Sequence, residues 1–263
     1  MGGAQIGWQL TTTDFMVVQA ALPANNTGLR FFIPGNLAEY RFDLGALSGA
    51  AGEVLNSSGN GLNGTRINSP SNNNKVHTTS SGKVCQAVAI PSNNNLNQID
   101  AIDTGILPAA IGANGAIDFW YKSTQAWGGA NVVLFDATTT SGRNFHLAYA
   151  SNARLRFVVT DNAALPHTIT LVQSGSPSVA AGIWKHLGVS WQLSAGSAVL
   201  AIYVDGVQKA TTTDPSNGAL HSSLGTLYIG DNRSTNFELG NSAQSAHGLI
   251  DEFRIYNFTA PPV

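Results

Sequence analysis

The segment that decides the fold reads WKHLGVSWQL, from Trp184 to Leu193, and AVLAIYVDG follows it at positions 198–206. Alternate positions of the first run form its apolar set: Lys185, Leu187, Val189 and Trp191. A period of two is typical of a β-strand with one face against a core. The Asp-Gly pair that ends the second run is typical of a type I′ turn between antiparallel strands. The sequence therefore predicts a strand at 184–193 whose apolar set faces the core, and a hairpin in which Asp205 and Gly206 join the second run to the strand that follows it.

Short strand patterns recur along the rest of the chain, and helical periodicity is almost absent. We predict further strands at AEYRFD, AIDTGI, GAIDFWYKS, NVVLFDA, FHLAYA, RLRFVVTD, TITLVQ, TLYIGD and LIDEFRIYN. In RLRFVVTD the alternating residues Leu155, Phe157 and Val159 are expected to face the core. Many short strands with turn residues between them favour an all-β sandwich or jelly roll.

Composition excludes several classes of function. Only 11% of the 263 residues are charged, against about 25% in an average globular domain, so the surface is expected to be neutral and polar. The net charge is −2 and no Lys/Arg cluster occurs, which argues against binding to nucleic acid. No apolar run approaches the roughly 20 residues of a membrane span. The single cysteine, Cys85, cannot form an internal disulfide and is expected to be a small buried hydrophobe.

Three segments carry a resemblance to a known family. LAEYRFDL (37–44) is followed by a Gly-Asn loop, NSSGNGLNG (56–64), and GLIDEFRIYNFTA (248–260) lies near the other end of the chain. They resemble the YxFD strand, the DSSGNGxNG loop and the last strand of the LamG-like jelly-roll family, the concanavalin A-like sandwich. WKHLGVSWQL resembles the same family's W-x-H hairpin. AIDTGI, IDFWYKS and TLYIGDNRS look most similar to the LamG-like domain of MshQ-type MSHA pilus biogenesis proteins.

The resemblance covers residues 37–260 and implies an antiparallel concanavalin A-like β-sandwich jelly roll at 37–263. Residues 1–36 are then an N-terminal extension: a linker, an added edge strand or a docking arm. The family suggests a recognition or adhesion module at the surface of a bacterial cell. The expected partner is a glycan or cell-surface polysaccharide. The alternative is a structural subunit, whose partners are other copies of the chain or pilus and surface proteins.

The resemblance also implies a structural Ca²⁺ between the Gly-Asn loop and the last strand. The candidate ligands are Asn56, Asn60, Asn63, Asp251 and Glu252, whose oxygens suit the preference of Ca²⁺ for oxygen ligands. The family places an Asp where this chain has Asn56, and the lost charge is expected to weaken binding. The alternative is that glycines supply the positive φ angles of the loop and that Asn side chains form Asx turns.

An enzyme is the less favoured alternative. Glycosidases on this fold carry paired carboxylates on one strand, spaced to flank the scissile bond, and the chain has no such run. Asp251 and Glu252 are adjacent, so regular alternation predicts that they point to opposite faces. No G-x-S-x-G elbow occurs. A polysaccharide lyase that combines Tyr, His and Arg from distant strands stays open, because such a site leaves no local motif.

A sugar site is expected to combine a flat aromatic side chain with polar groups. Trp127 lies in a Gly-rich stretch between two predicted strands, Arg143 lies at the next predicted hairpin turn, and His146 lies at the start of the strand after it. Asn232 and Arg233 belong to a long polar stretch. These five residues are the predicted ligand-binding set, whereas Trp120 and Trp184 are expected in the core.

Overall fold

The computed structural model describes residues 36–68, 75–91, 99–125, 131–139, 142–150, 154–172, 180–231 and 244–258. Its strands are β1 (Asn36–Tyr40), β2 (Thr65–Ile67), β3 (His77–Thr79), β4 (Ala87–Ile90), β5 (Ala101–Asp103), β6 (Asn114–Ser123), β7 (Val132–Asp136), β8 (Phe145–Ala150), β9 (Arg154–Thr160), β10 (Pro166–Val172), β11 (Trp184–Ser194), β12 (Ser197–Val204), β13 (Val207–Asp214), β14 (Tyr228–Gly230), β15 (Gln244–Ser245) and β16 (Gly248–Tyr256). One short helix, α1, spans Pro108–Ile111.

The strands form two sheets that face each other across one core. The first sheet has the order β13-β12-β11-β6-β16-β4-β3, and β1 also pairs with β16. The second has the order β10-β9-β8-β7-β14-β5-β2, with the short β15 added in parallel beside β7. All other pairings are antiparallel. The predicted all-β sandwich is confirmed.

The predicted hairpin forms as the sequence indicates. Its turn residues Asp205 and Gly206 have φ angles of 52° and 74°, and positive φ at both central positions defines a type I′ turn. On β11, Leu187, Val189 and Trp191 are fully buried. The predicted orientation of this strand toward the core is therefore confirmed.

Aromatic side chains fill the space between the sheets. Phe119 of the first sheet packs edge-on against Phe135 of the second, with ring centroids 6.3 Å apart. Trp191 packs edge-on against Phe145 at 5.1 Å. Gly115 lies opposite Trp191 in the ladder, and a Cβ at this position would overlap the indole ring. Such interlocking rings make the core intolerant of added volume.

A buried carboxylate, Asp161, ties the β9–β10 turn to the loop after β13. Its Oδ1 accepts hydrogen bonds from the backbone N–H groups of Ala163 and Leu165, each at 3.0 Å. Its Oδ2 accepts from the backbone N–H of Asn217 at 2.9 Å and from the hydroxyl of Ser216 at 3.1 Å.

An imidazole completes this arrangement around the carboxylate. The Nε2 of His167 lies 3.2 Å from Asp161 Oδ2. Burial alone would raise the pKa of Asp161, but these hydrogen bonds outweigh it and lower the pKa to about 2. The carboxylate therefore stays charged at neutral pH and holds two distant loops together.

The segments predicted as strands all overlap a strand of the structure. The predicted segments do not include β2, β3, β4, β15 or α1, each of two to four residues. Segments this short carry too few residues to show a period. The predicted N-terminal extension lies outside the described residues except for its last residue, Asn36, which begins β1. None of the described helices is long and apolar enough to cross a membrane.

Candidate functional site

Two tryptophans lie on the outer face of the first sheet, the face that points away from the core. Trp120 belongs to β6 and Trp184 to β11, and both are partly exposed. Trp120 pairs with His186, and Trp184 pairs with Lys122, so the two indoles are diagonal neighbours, about 7–8 Å apart at their backbones. The expectation that both belong to the core is wrong, because their strand neighbours Phe119 and Leu187 take the core positions.

A charged cluster, the Arg254 cluster, lies beside them and consists of Glu39, Asp118, Glu252 and Arg254. The guanidinium of Arg254 lies 3.2 Å from Glu39, 3.5 Å from Asp118 and 2.6 Å from Glu252. Burial alone would lower the pKa of Arg254, but Asp118 and the other neighbouring charges raise it. One guanidinium thus connects three strands of the outer face.

His186 lies between the two parts of this surface. Its Nε2 is 3.1 Å from Asp118 Oδ1, and its ring centroid is 5.1 Å from that of Trp120. An Nε2–H that donates to Asp118 fixes the tautomer and the ring plane. The imidazole is almost fully buried and packs against Trp120 from the neighbouring strand.

A β-bulge in β16 changes the predicted directions of Asp251 and Glu252. The pairing shifts between Asp251, opposite Trp120, and Arg254, opposite Asp118, and Glu252 has a φ of 51°. The extra residue of the bulge puts Glu252 on the same face as Asp251, where it reaches Arg254. The expectation that the two carboxylates point to opposite faces is wrong, because a bulge interrupts the period of two.

The turn at Gly82–Cys85 crosses this face and is held by Asp251. The backbone N–H groups of Lys83 and Val84 both donate to Asp251 Oδ2 at 2.8 Å. Cys85 has a φ of 53° and is exposed. The expectation of a buried Cys85 is wrong, because this residue belongs to the turn and β4 begins two positions later.

Each tryptophan of the outer face has a lysine above its ring. The Nζ of Lys83 lies 4.3 Å from the ring centroid of Trp120. The Nζ of Lys122 lies 5.9 Å from the ring centroid of Trp184. Both distances fall within the roughly 6 Å over which a cation is attracted to an aromatic face. The outer face therefore presents aromatic surface and positive charge side by side.

The predicted ligand-binding residues that the structure describes do not belong to this surface. Arg143 follows β7, and its Nε donates to His221 Nε2 at 3.2 Å. His146 lies on β8, fully buried, with its Nδ1 3.3 Å from the hydroxyl of Thr138. Burial and the nearby charge of Arg156 lower the pKa of His146 to about 3. Trp127, Asn232 and Arg233 lie outside the described residues.

The Gly-Asn loop is ordered by hydrogen bonds of its own asparagines. Asn56 Oδ1 accepts from the backbone N–H groups of Glu39 and Ser58, each at 2.9 Å. Asn63 Oδ1 accepts from the backbone N–H of Asn56 at 2.9 Å. Asn60 Nδ2 donates to the backbone carbonyls of residues 36 and 37. These contacts fasten the loop to β1 in the manner of Asx turns.

The predicted calcium ligands do not converge on one oxygen-lined pocket. The amide oxygens of Asn56 and Asn63 face N–H donors, as do both carboxylate oxygens of Asp251, and Glu252 faces Arg254. Ca²⁺ needs about six to eight oxygens directed at it, and this arrangement does not fit that requirement. Among the described residues, no group of three or more His, Cys, Asp or Glu side chains could hold a metal ion. Calcium binding stays a prediction.

Residues 86–261 match the laminin G family model described as the concanavalin A-like lectin/glucanases superfamily. The chain belongs to this family. No curated protein matches the chain. The family assignment covers the described strands from β4 to β16, which include both tryptophans of the outer face.

Solved structures show the same fold at low sequence identity. The botulinum neurotoxin serotype D binding domain aligns with a TM-score of 0.54 and 11% identity, over 85% of this chain and 48% of that one. The present chain thus spans about half the length of that domain. The CBM40 domain of Ruminococcus gnavus IT-sialidase, solved with α2,3-sialyllactose, aligns with a TM-score of 0.50 and 14% identity, over 66% of this chain and 91% of that one. At these identities the likeness establishes the fold alone.

The residues that sequence analysis missed are Lys83, Trp120, Lys122, Trp184 and Arg254. A signal for Trp184 was present, because it alternates with the apolar set of β11 and so falls on the outer parity of that strand. On β6, Phe119 and Tyr121 are buried in the core. The same alternation therefore places Trp120, which lies between them, on the outer face. Nothing in the sequence indicated that Lys83 meets Trp120, since 37 positions separate them.

Proposed function

We propose that the chain is a non-catalytic carbohydrate-recognition module and that glycans bind on the outer face of the first sheet. The observation that carries this proposal is the pair of partly exposed indoles, Trp120 and Trp184, beside the Arg254 cluster. Indole faces stack on apolar ring surfaces while neighbouring polar groups satisfy hydroxyls. A rigid sheet holds these groups, so little conformational entropy is lost on binding.

The fold supports this proposal. The CBM40 domain shares the fold and was solved with a bound sialylated sugar, but one fold hosts many functions and the site must carry the argument. The surface location, the MshQ-type relationship and the role in adhesion stay predictions. The same holds for assembly through residues 1–36.

A second candidate is a polysaccharide-active enzyme, and the His186–Asp118 pair favours it. An imidazole oriented by a carboxylate is the usual arrangement of a general base. In this structure, however, the imidazole is almost fully buried and packs against Trp120. Incubation of the protein with polysaccharides should release no reducing ends or unsaturated products. Turnover that disappears in His186→Gln would establish the enzyme instead.

Binding of the wild-type protein to a glycan array, followed by titration of the best ligand, tests the module. Trp184→Ala and Trp120→Ala should each weaken binding by about tenfold, as expected for the loss of an aromatic contact. Trp127→Ala is the matched control, because it removes an indole from the site predicted by sequence. Circular dichroism should show that all three variants fold.

Three outcomes separate the alternatives. Loss of binding in Trp127→Ala, with normal binding in Trp184→Ala, would move the site to the segment around Trp127. Absence of binding by the wild-type protein to any glycan, with a mass several times 27.5 kDa by light scattering, would favour the structural subunit. Repeating the titration in EDTA tests calcium: unchanged affinity and melting temperature would remove it from the function.

A further inference from the structure

We infer that the outer face of the first sheet selects acidic glycans, whose sugar rings carry carboxylate or sulfate groups. This inference rests on the proposed carbohydrate site and names the class of ligand that it takes. It follows from the arrangement of charges on this face, where the acidic side chains of the Arg254 cluster are buried and the basic side chains around them reach solvent.

The acidic side chains of the Arg254 cluster are buried and the arginines beside them reach solvent; Asp43, next to Gln86, is an exposed acidic residue nearby. The exposed fractions of the side chains of Glu39, Asp118 and Glu252 are 6%, 2% and 8%, whereas those of Arg41 and Arg254 are 26% and 21%. Asp251 is fully buried under the turn at Gly82–Cys85. The formal charges nearly balance, but a ligand that approaches from solvent first meets guanidinium and ammonium groups.

The lysines sit where a charged substituent of a stacked sugar would lie. Lys83 is exposed, and its backbone is held by the two hydrogen bonds to Asp251. Lys122 is partly exposed, and its ammonium lies 5.9 Å from the centre of the Trp184 ring. A sugar on the indole face would displace this ammonium toward the ring edge, where it can bind an anion. Lys83 lies closer to its ring, at 4.3 Å, and would swing toward the anion.

A neutral sugar gains less from this surface than an acidic one. It would displace Lys83 from Trp120 and lose the cation–π contact between them. An acidic sugar replaces that contact with an ion pair beside the ring. The selection is therefore expected to come from Lys83 and Lys122, while the indoles supply contact area for both kinds of ligand.

Titration calorimetry with four polymers tests the inference. Polygalacturonate carries a carboxylate on each ring, and its fully methyl-esterified form is the matched neutral ligand; dextran sulfate and dextran form the equivalent pair for sulfate. The wild-type protein should bind at least one acidic polymer and bind the matched neutral polymer at least about tenfold more weakly. Lys83→Gln and Lys122→Gln should each weaken binding to the acidic polymer by about threefold, and the double variant by about tenfold.

Lys209→Gln is the control for the variants. Lys209 is exposed on the edge strand β13, two strands away from the strand of Trp184, so its loss removes the same charge at a distance from the indoles and should leave affinity unchanged. Binding to the acidic polymer should also fall with added salt, and less steeply in the double variant. Whichever acidic polymer depends on the two lysines identifies the anionic group.

Two results would overturn the inference and leave the carbohydrate site in place. One is equal binding of the acidic and neutral polymers that is lost in Trp184→Ala. The other is tight binding to an acidic polymer that the double lysine variant keeps and Lys209→Gln also keeps. If the array shows no glycan binding at all, the proposed function itself fails, which is a separate outcome.

Discussion

Asp161 and Asp251 occupy opposite electrostatic situations although both side chains are fully buried. Each accepts backbone N–H groups from a loop that is distant in sequence, Asn217 in one case and the Lys83 turn in the other. The pKa of Asp161 is lowered to about 2, whereas burial and the carboxylate of Glu252 raise the pKa of Asp251 to about 7.

The difference lies in what surrounds each carboxylate. Asp161 has four hydrogen-bond donors and the imidazole of His167, whose other ring nitrogen lies 4.0 Å from Asp214. Asp251 has three backbone donors and an acidic neighbour. The two loops around Asp161 are thus connected by a negative charge that their hydrogen bonds stabilise. The turn on the outer face is held by Asp251, whose negative charge is disfavoured by burial.

The largest effect is expected when the compensated carboxylate is removed. Asp161→Asn should lower the free energy of unfolding at pH 7 by about 3 kcal/mol, because buried N–H donors lose a charged acceptor. The folded pKa lies below the unfolded value, so the contribution is present above about pH 4 and is lost as the pH falls through 2. Urea unfolding at pH 7 and pH 2.5 measures both effects.

Asp214→Asn is the control for this experiment. Asp214 Oδ2 lies 4.0 Å from His167 Nδ1, and 40% of its side chain is exposed. Its replacement should cost less than about 1 kcal/mol. Equal losses in the two variants would show that the neutralised charge, and not the hydrogen bonds to Asp161, is responsible.

A smaller effect of opposite sign with pH is expected at Asp251. Its folded pKa lies above the unfolded value, so its contribution to stability is fully present below about pH 4 and is lost as the pH rises through 7. The stability of the wild-type protein relative to Asp251→Asn should therefore decrease by roughly 2 kcal/mol between pH 5 and pH 7. Urea unfolding in EDTA, which removes bound cations, measures this difference. A difference that stays constant over this range would show that Asp251 is charged throughout.

The fold could be predicted because several strands show an alternation of apolar residues, with a period of two, in their own sequence. Leu155, Phe157 and Val159 alternate, and all three are fully buried. The hairpin at Asp205 was readable because a type I′ turn depends on two adjacent residues. The bulge at Glu252 was not readable, because its positive φ falls on a residue type with no preference for it. Regular alternation therefore gave the wrong directions there.

The candidate site could be predicted only in part. The alternation of β11 already placed Trp184 on the outer parity, but the general preference of tryptophan for cores outweighed that signal. The same alternation could have predicted that Arg254, between the buried residues Phe253 and Ile255, lies on the outer face. Its three carboxylate partners come from three strands, and their convergence depends on register, which no local pattern specifies. The position of Lys83 over Trp120 depends on the turn at Gly82–Cys85 and on Asp251, which holds that turn beside the bulge. Neither the turn nor the bulge could be predicted from a local pattern.

The smallest effect tests that last dependence with a double-mutant cycle. Lys83→Gln and Trp120→Phe should show a coupling free energy of about 0.5 kcal/mol, since a cation–π contact at an exposed site has this size. Lys122→Gln and Trp184→Phe should show less, because their separation is 5.9 Å compared with 4.3 Å for the first pair. Stability from urea unfolding measures both cycles.

Repeating the first cycle in Asp251→Asn connects it with the buried carboxylate. If Asp251 holds the turn that carries Lys83, its replacement should abolish the coupling while the second cycle stays unchanged. A coupling that survives would mean that Lys83 reaches Trp120 without the hydrogen bonds at its backbone. Asp251 would then have no part in shaping the outer face. The contrast with Asp161 would in that case concern stability alone.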